Sequence, residues 1–195
     1  NKFFRSRTLI AQYKIKYPFD IYRSISVQMS FRQEKKYWLV TDFQTLIQPD
    51  IDAQRLGLKL AYVFDNTLYL ANNMLRGTRY KITVEAIKKF SIDTDPWTFK
   101  LNKGFMTVMD LDFRNYLKIS KYAIFATRVA AATSFGSEKI LYYLGGSDNW
   151  LFSQYDYDVP RPDPLTYAYQ TAAPNLRGFA YNARNGQSYV LINAE

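Results

Sequence analysis

Apolar residues return at every second position along most of this chain, and that period leaves few folds open. A period of two belongs to a strand whose two faces meet different surroundings, because successive side chains leave a strand on opposite sides. In TLIAQYKIKYPFD (8–20), Leu9, Ala11, Tyr13, Ile15 and Tyr17 share one face, opposite Gln12, Lys14 and Lys16. In IYRSISVQMSF (21–31), Ile21, Ile25, Val27, Met29 and Phe31 oppose a row of serines and Gln28. RLGLKLAYVFDN (55–66) sets Leu56, Leu58, Leu60, Tyr62 and Phe64 against Lys59 and Asp65. TRYKITVEA (78–86) sets Tyr80, Ile82 and Val84 against Arg79, Lys81 and Glu85. FMTVMDLDFR (105–114) sets Met109, Leu111 and Phe113 against Asp110, Asp112 and Arg114. YAIFATRVAAA (122–132) is less regular, with Arg128 opposite Phe125 and Val129, and residues 187–195 place Val190 and Ile192 against Asn193 and Glu195. The reading is all-β, with about seven strands and no helix longer than a turn or two. VEAIKKF (84–90) would pass for a helix alone, but it continues a period-2 run.

The polar faces separate a membrane sheet from a soluble one. A packed sandwich does not bury unpaired charges, whereas a transmembrane barrel turns apolar residues to lipid and polar ones to its lumen over strands of roughly 9–11 residues. On that reading Lys59, Arg79, Lys81, Glu85, Asp110, Asp112, Arg114 and Arg128 face the lumen. Asp110 and Asp112 share a face as a catalytic acid pair would, but beside Arg114 they read as salt-bridge partners. Tyrosine is abundant at 17 residues, as in the interfacial girdles of such barrels. Trp38, Trp97 and Trp150 fall near strand ends, where interfacial anchors sit. Lys35-Lys36 and Lys88-Lys89 read as strand-end charges at headgroup level, within reach of lipopolysaccharide phosphates.

Composition narrows the chemistry. With no cysteine there is no disulfide or thiol chemistry, and with no histidine the commonest general base and metal ligand is missing. No catalytic residue, cofactor or metal site is expected. The net charge of +9 suits nucleic acid, anionic lipid or a charged pore, but the cations alternate with apolar positions instead of forming the patch that nucleic acid requires. Seven is an odd count for a bacterial barrel, and a barrel in lipid must close. The chain therefore reads as part of a longer polypeptide: residues 1–195 as one partial barrel domain, with a long extracellular or lumenal loop at about 137–186.

Several short motifs occur in a telling order. AYVFDNT (61–67) ends a strand in an Asp-containing turn, and NNMLRGTRYKITVEA (72–86) opens the next at Arg76-Gly77. MTVMDLDFRNYLKI (106–119) carries Asp112, Arg114 and Tyr116, and YAIFATRVAAATSFG (122–136) follows. YYLGGSDNWL (142–151) contains Gly145-Gly146, NLRGF (175–179) contains Leu176, Arg177, Gly178 and Phe179, and GQSYVLINAE (186–195) begins another strand. Over about residues 55–195 this order resembles the C-terminal part of the BamA-type outer-membrane barrel superfamily, the bacterial surface antigen family.

The resemblance implies a barrel of 16 strands in the full protein, in the outer membrane of a Gram-negative bacterium. It implies a long loop that opens at Gly145-Gly146, folds back into the lumen and docks its Arg-Gly-aromatic tip, Arg177 to Phe179, on the inner wall. The stretch between Gly146 and Arg177 is longer than is usual in the family, which implies an inserted extracellular cap. The implied function is assembly or transport of outer-membrane proteins without covalent chemistry. The implied partners are outer-membrane lipid, lipopolysaccharide, other outer-membrane proteins or periplasmic domains, and no nucleic acid. An anchor barrel displaying an N-terminal domain, such as one with propeller-like repeats upstream, and a passive porin are the alternatives.

Overall fold

The computed structural model describes residues 4–39, 50–71, 74–94, 97–147, 151–160 and 167–195. Among them every regular element is a strand. The chain runs through β1 (Phe4–Pro18), β2 (Arg23–Trp38), β3 (Ile51–Asp65), β4 (Leu68–Ala71), β5 (Met74–Thr94), β6 (Trp97–Lys118), β7 (Ile124–Gly136), β8 (Ile140–Leu144), β9 (Tyr169–Ala172), β10 (Arg184–Gly186) and β11 (Ser188–Ala194). An antiparallel sheet of eight strands has the order β1-β2-β3-β5-β6-β7-β11, with β4 paired on β5. Its seven path strands are those the alternation singles out. VEAIKKF lies inside β5, as strand. The period does not single out β4, β8, β9 or β10, which have only three to five residues each. The sheet does not close, and β1 and β11 are its edges.

Neighbouring strands are joined by tight turns at one end of the sheet, at 19–22, 66–67 and 119–123. Asp20 Oδ1 accepts the amides of Tyr22 and Arg23, and Asp65 Oδ1 accepts the amide and hydroxyl of Thr67. Such side-chain acceptors replace the ladder bonds a turning backbone gives up. At the other end β2 and β3 are joined through 39–50, β7 and β11 through 137–187, and β5 and β6 through the two residues 95–96.

Register carries the alternation across the sheet. One row runs Ile15, Val27, Leu60, Val84, Met109, and the next runs Tyr17, Ile25, Tyr62, Ile82, Leu111, Ala131, Val190. This apolar face is bare: Leu58, Ile82, Met109 and Ile192 are 52%, 47%, 45% and 71% exposed. The opposite face, which carries the charges, is covered over β5–β7 and exposed on β1. There a three-stranded sheet of order β10-β8-β9 lies over β5–β7. Ile140, Tyr142 and Ala168 of that layer pack on Ile87, Met106, Val108 and Ala132 to form the core. Ser134 ties the layers together, accepting the amide of Ile140 (2.9 Å) and reaching the carbonyls of Ile140 and Gln187 (3.2 Å each).

Candidate functional site: a loop folded over the charged face

All eight charges picked out by the alternation share the covered face. Lys59 stands opposite Glu85 and pairs with it at 3.2 Å. Arg79, Arg114 and Arg128 are direct neighbours in one row, an arrangement of like charges that costs stability unless anions intervene. Asp112, two residues from Arg114 on β6, supplies the anion. It accepts two parallel bonds from Arg114 (2.9 Å each) and one from Arg128 (2.7 Å), the bidentate geometry that suits guanidinium to carboxylate. Arg79 turns to Asp65 at 3.5 Å. Lys81 is exposed opposite Asp112, and Asp110 lies opposite Thr83. Asp110, Lys59, Glu85, Arg114 and Arg128 line a cavity of about 740 Å³ between the two layers. Burial beside Glu85 pushes the Tyr169 phenol, also on this cavity, up to about 12, so it remains a hydrogen-bond donor at neutral pH.

A second cluster escapes the sequence reading. Arg55 is buried at 5% exposure, and its Nε donates to Glu138 Oε2 at 2.9 Å. Glu138 lies just past β7, 83 positions away. Lys89 reaches the same carboxylate at 3.3 Å, and Glu34, itself buried, faces Arg55 (3.8 Å), Lys36 (3.7 Å) and Arg32 (4.0 Å). Arg32 stacks 4.1 Å over the Tyr169 ring. Strands β2, β3 and β5 are thereby clamped to both ends of the 138–169 excursion. The pleat also divides each lysine pair. Lys36 and Lys89 point to the covered face, whereas Lys35 and Lys88 fall in register with its reverse. Trp38 shares the face of Glu34 and Lys36, so it is not a lipid-facing anchor: an even position on β2 points inward. Trp150 lies outside the described residues, as does the side chain of Trp97.

The double glycine and the Leu-Arg-Gly-Phe tip, distant in sequence, meet. Gly146 pairs with Leu176, donates its amide to the Phe179 carbonyl (2.9 Å) and accepts from the Leu176 amide (3.1 Å). Gly145 and Gly146 have φ of 118° and 79°, and a Cβ on either would collide with Ala180 or the Tyr181 ring. Both conditions demand glycine. Arg177 pairs with Glu195 at 3.1 Å, with side chains 76% and 64% exposed, and Phe179 is 53% exposed. Gly178 has φ of 87° and open space around it. The described part of the inserted stretch is held by Asn182, which is fully buried with φ of 64°. Its amide donates to the carbonyls of Asp156 (3.0 Å) and Val159 (3.4 Å), and Asn185 donates to Pro160 (3.1 Å). Residues 148–150 and 161–166 of that stretch lie outside the described residues.

An exposed pair contributes little, so Arg177→Ala in this setting is expected to cost about 0–1 kcal/mol. Gly146→Val adds a clash at a strained φ and is expected to cost roughly 2–4 kcal/mol. Limited proteolysis within 151–175 distinguishes the two, with the valine variant cut faster. Equal cutting would place the loop's anchorage away from the double glycine.

Comparisons with protein-family models, with curated proteins and with solved structures find no match.

Proposed function

We propose that this chain forms part of the wall of a transmembrane β-barrel in the outer membrane of a Gram-negative bacterium, with residues 137–186 folded into its lumen. The inverted sheet carries this reading: the apolar face is bare across seven strands, while the charged face is covered over β5–β7 by the second layer. In water an apolar surface of that extent drives aggregation or association, whereas in lipid it is the required exterior. From Leu56 to Phe64 the apolar row on β3 spans eight residue steps, ~27 Å along the strand. At a tilt of about 40° that is ~20 Å across the membrane before side-chain reach, near the ~25 Å apolar band of such barrels. The two longest connections, 39–50 and 137–187, leave the sheet at the same end, as extracellular loops do in such barrels.

Within the outer membrane, the meeting of Gly146 with Leu176–Phe179 supports the likeness to the BamA-type superfamily, and hence a role in assembling or transporting outer-membrane proteins. A lumen occupied by a second sheet and lined by mutually paired charges speaks against a passive porin. Residues 1–195 contain no cysteine, so single cysteines introduced here, with any cysteine elsewhere in the full-length protein replaced, give the test. Cysteines at Leu60 and Val84 are expected to react with a lipid-soluble maleimide, and one at Lys81 with a membrane-impermeant reagent. The reverse pattern, or a monomer stable without detergent, rejects the barrel. For the assembly role, the reconstituted protein is expected to speed the folding of a second barrel into liposomes. A rate equal to that in empty liposomes would leave an anchor.

A further inference from the structure

We propose that a second pocket, on the charged face of β1–β3, binds a tetrahedral oxyanion of the phosphate class, free or as the end group of a small phosphomonoester. The pocket has a volume of about 200 Å³, and Gln12, Gln28, Ser30, Arg32, Arg55 and Tyr169 line it. Lys59 and Glu85 also line it, but they pair with each other at 3.2 Å. Register sets Arg32, Arg55 and Lys89 directly opposite one another on β2, β3 and β5. Like charges in one row destabilise a sheet unless anions stand among them. Glu138 engages Arg55 Nε and Lys89. Glu34 approaches Arg55 only to 3.8 Å and Arg32 only to 4.0 Å, too far for a hydrogen bond. Arg32 Nε and Arg55 Nη1 are thus buried N–H donors with no hydrogen-bond partner among the described residues. Buried donors are rarely left in that state, and Arg55 is only 5% exposed.

The placement of the donors selects the ligand. Gln12 comes from β1, Gln28, Ser30 and Arg32 from β2, Arg55 from β3, and Tyr169 from the covering layer. Water can satisfy such donors but leaves the row of cations unneutralised. A carboxylate neutralises charge, but its two oxygens lie in one plane. A tetrahedral oxyanion offers oxygens in several directions and takes charge-assisted bonds from guanidinium groups. Gly57, between Ser30 and Ile87 in register, keeps the floor open. A Cβ there would stand 2.5 Å from Ser30 Oγ and 3.0 Å from Glu85 Oε1. The bound ion joins β2 and β3 to Tyr169, over which Arg32 already stacks, and so fastens the loop to the sheet. The pocket lies between sheet and loop whether or not the bare face meets lipid, so its failure leaves the barrel reading untouched.

Calorimetric titration of the full-length protein with inorganic phosphate, at constant ionic strength, tests this. Saturable binding is expected, with acetate weaker by about tenfold. Arg32→Gln keeps the Arg55–Glu138 contact and is expected to weaken phosphate binding by about tenfold or more. Arg23→Gln, which removes the same charge from a distant turn, should leave it unchanged. If Arg32→Gln does not fold, Gly57→Ala carries the test: it alters no charge, crowds the floor, and is expected to weaken binding by about threefold or more. Glycerol phosphate tells the two sources apart. Affinity equal to that of phosphate assigns the pocket to an esterified phosphate, and loss of binding assigns it to the free ion. No saturable binding of phosphate, equal binding of acetate, or equal binding by the pocket variant overturns the proposal.

Discussion

Arg55→Ala is expected to release the loop. Arg55 is the buried centre of a clamp that joins β3 to Glu138 and faces Glu34. Removing it leaves two carboxylates in a covered site, and breaking a buried pair costs about 3–5 kcal/mol. Lys89 and Lys36 still face those carboxylates, which places the loss toward the lower end of that range. Protease cutting within 151–175 should rise, and a double-mutant cycle with Glu138→Gln should show strong coupling, because the two residues touch. No coupling would mean that the pair does not hold the loop.

Acid should act at the same point. Burial raises the pKa of Glu138, but the Arg55 hydrogen bond and the Arg55 and Lys89 charges outweigh it, and the net shift is downward from 4.5. A depressed carboxylate contributes stability that is fully present above its unfolded pKa and is lost as pH falls through the folded value. Loop cleavage should therefore be constant from neutral pH to about 5 and rise below 4.5. In Glu138→Gln the rise should vanish.

The second large effect is expected on the bare face. Leu60 lies in the middle apolar row between Val27 and Val84. If that row meets the membrane midplane, Leu60→Arg should cost roughly 2–4 kcal/mol, whereas Lys81→Gln on the covered face should cost under about 1 kcal/mol. Urea unfolding in liposomes measures both. Similar costs for the two variants would mean that neither face meets hydrocarbon.

Much of this was legible in the residues themselves, for a physical reason. A strand turns alternate side chains to opposite sides, so a one-dimensional pattern states which residues share a face. The seven path strands and the common face of Lys59, Arg79, Lys81, Glu85, Asp110, Asp112, Arg114 and Arg128 follow from it. Even the Asp112–Arg114 bond is local, two positions apart on one strand. Periodicity says nothing about partners remote in sequence, or about strands too short to show a period. Only the tertiary structure decided that Arg55 meets Glu138, that Arg32 meets Tyr169, and that β8, β9 and β10 form a second layer. It also decided what Arg177 does: the motif marked the loop tip, but whether a guanidinium is buried or bare depends on what covers it, and here it meets Glu195 in the open. It decided likewise that Gly145 and Gly146, whose missing side chains let two distant arms of the loop approach to backbone contact, meet the loop tip.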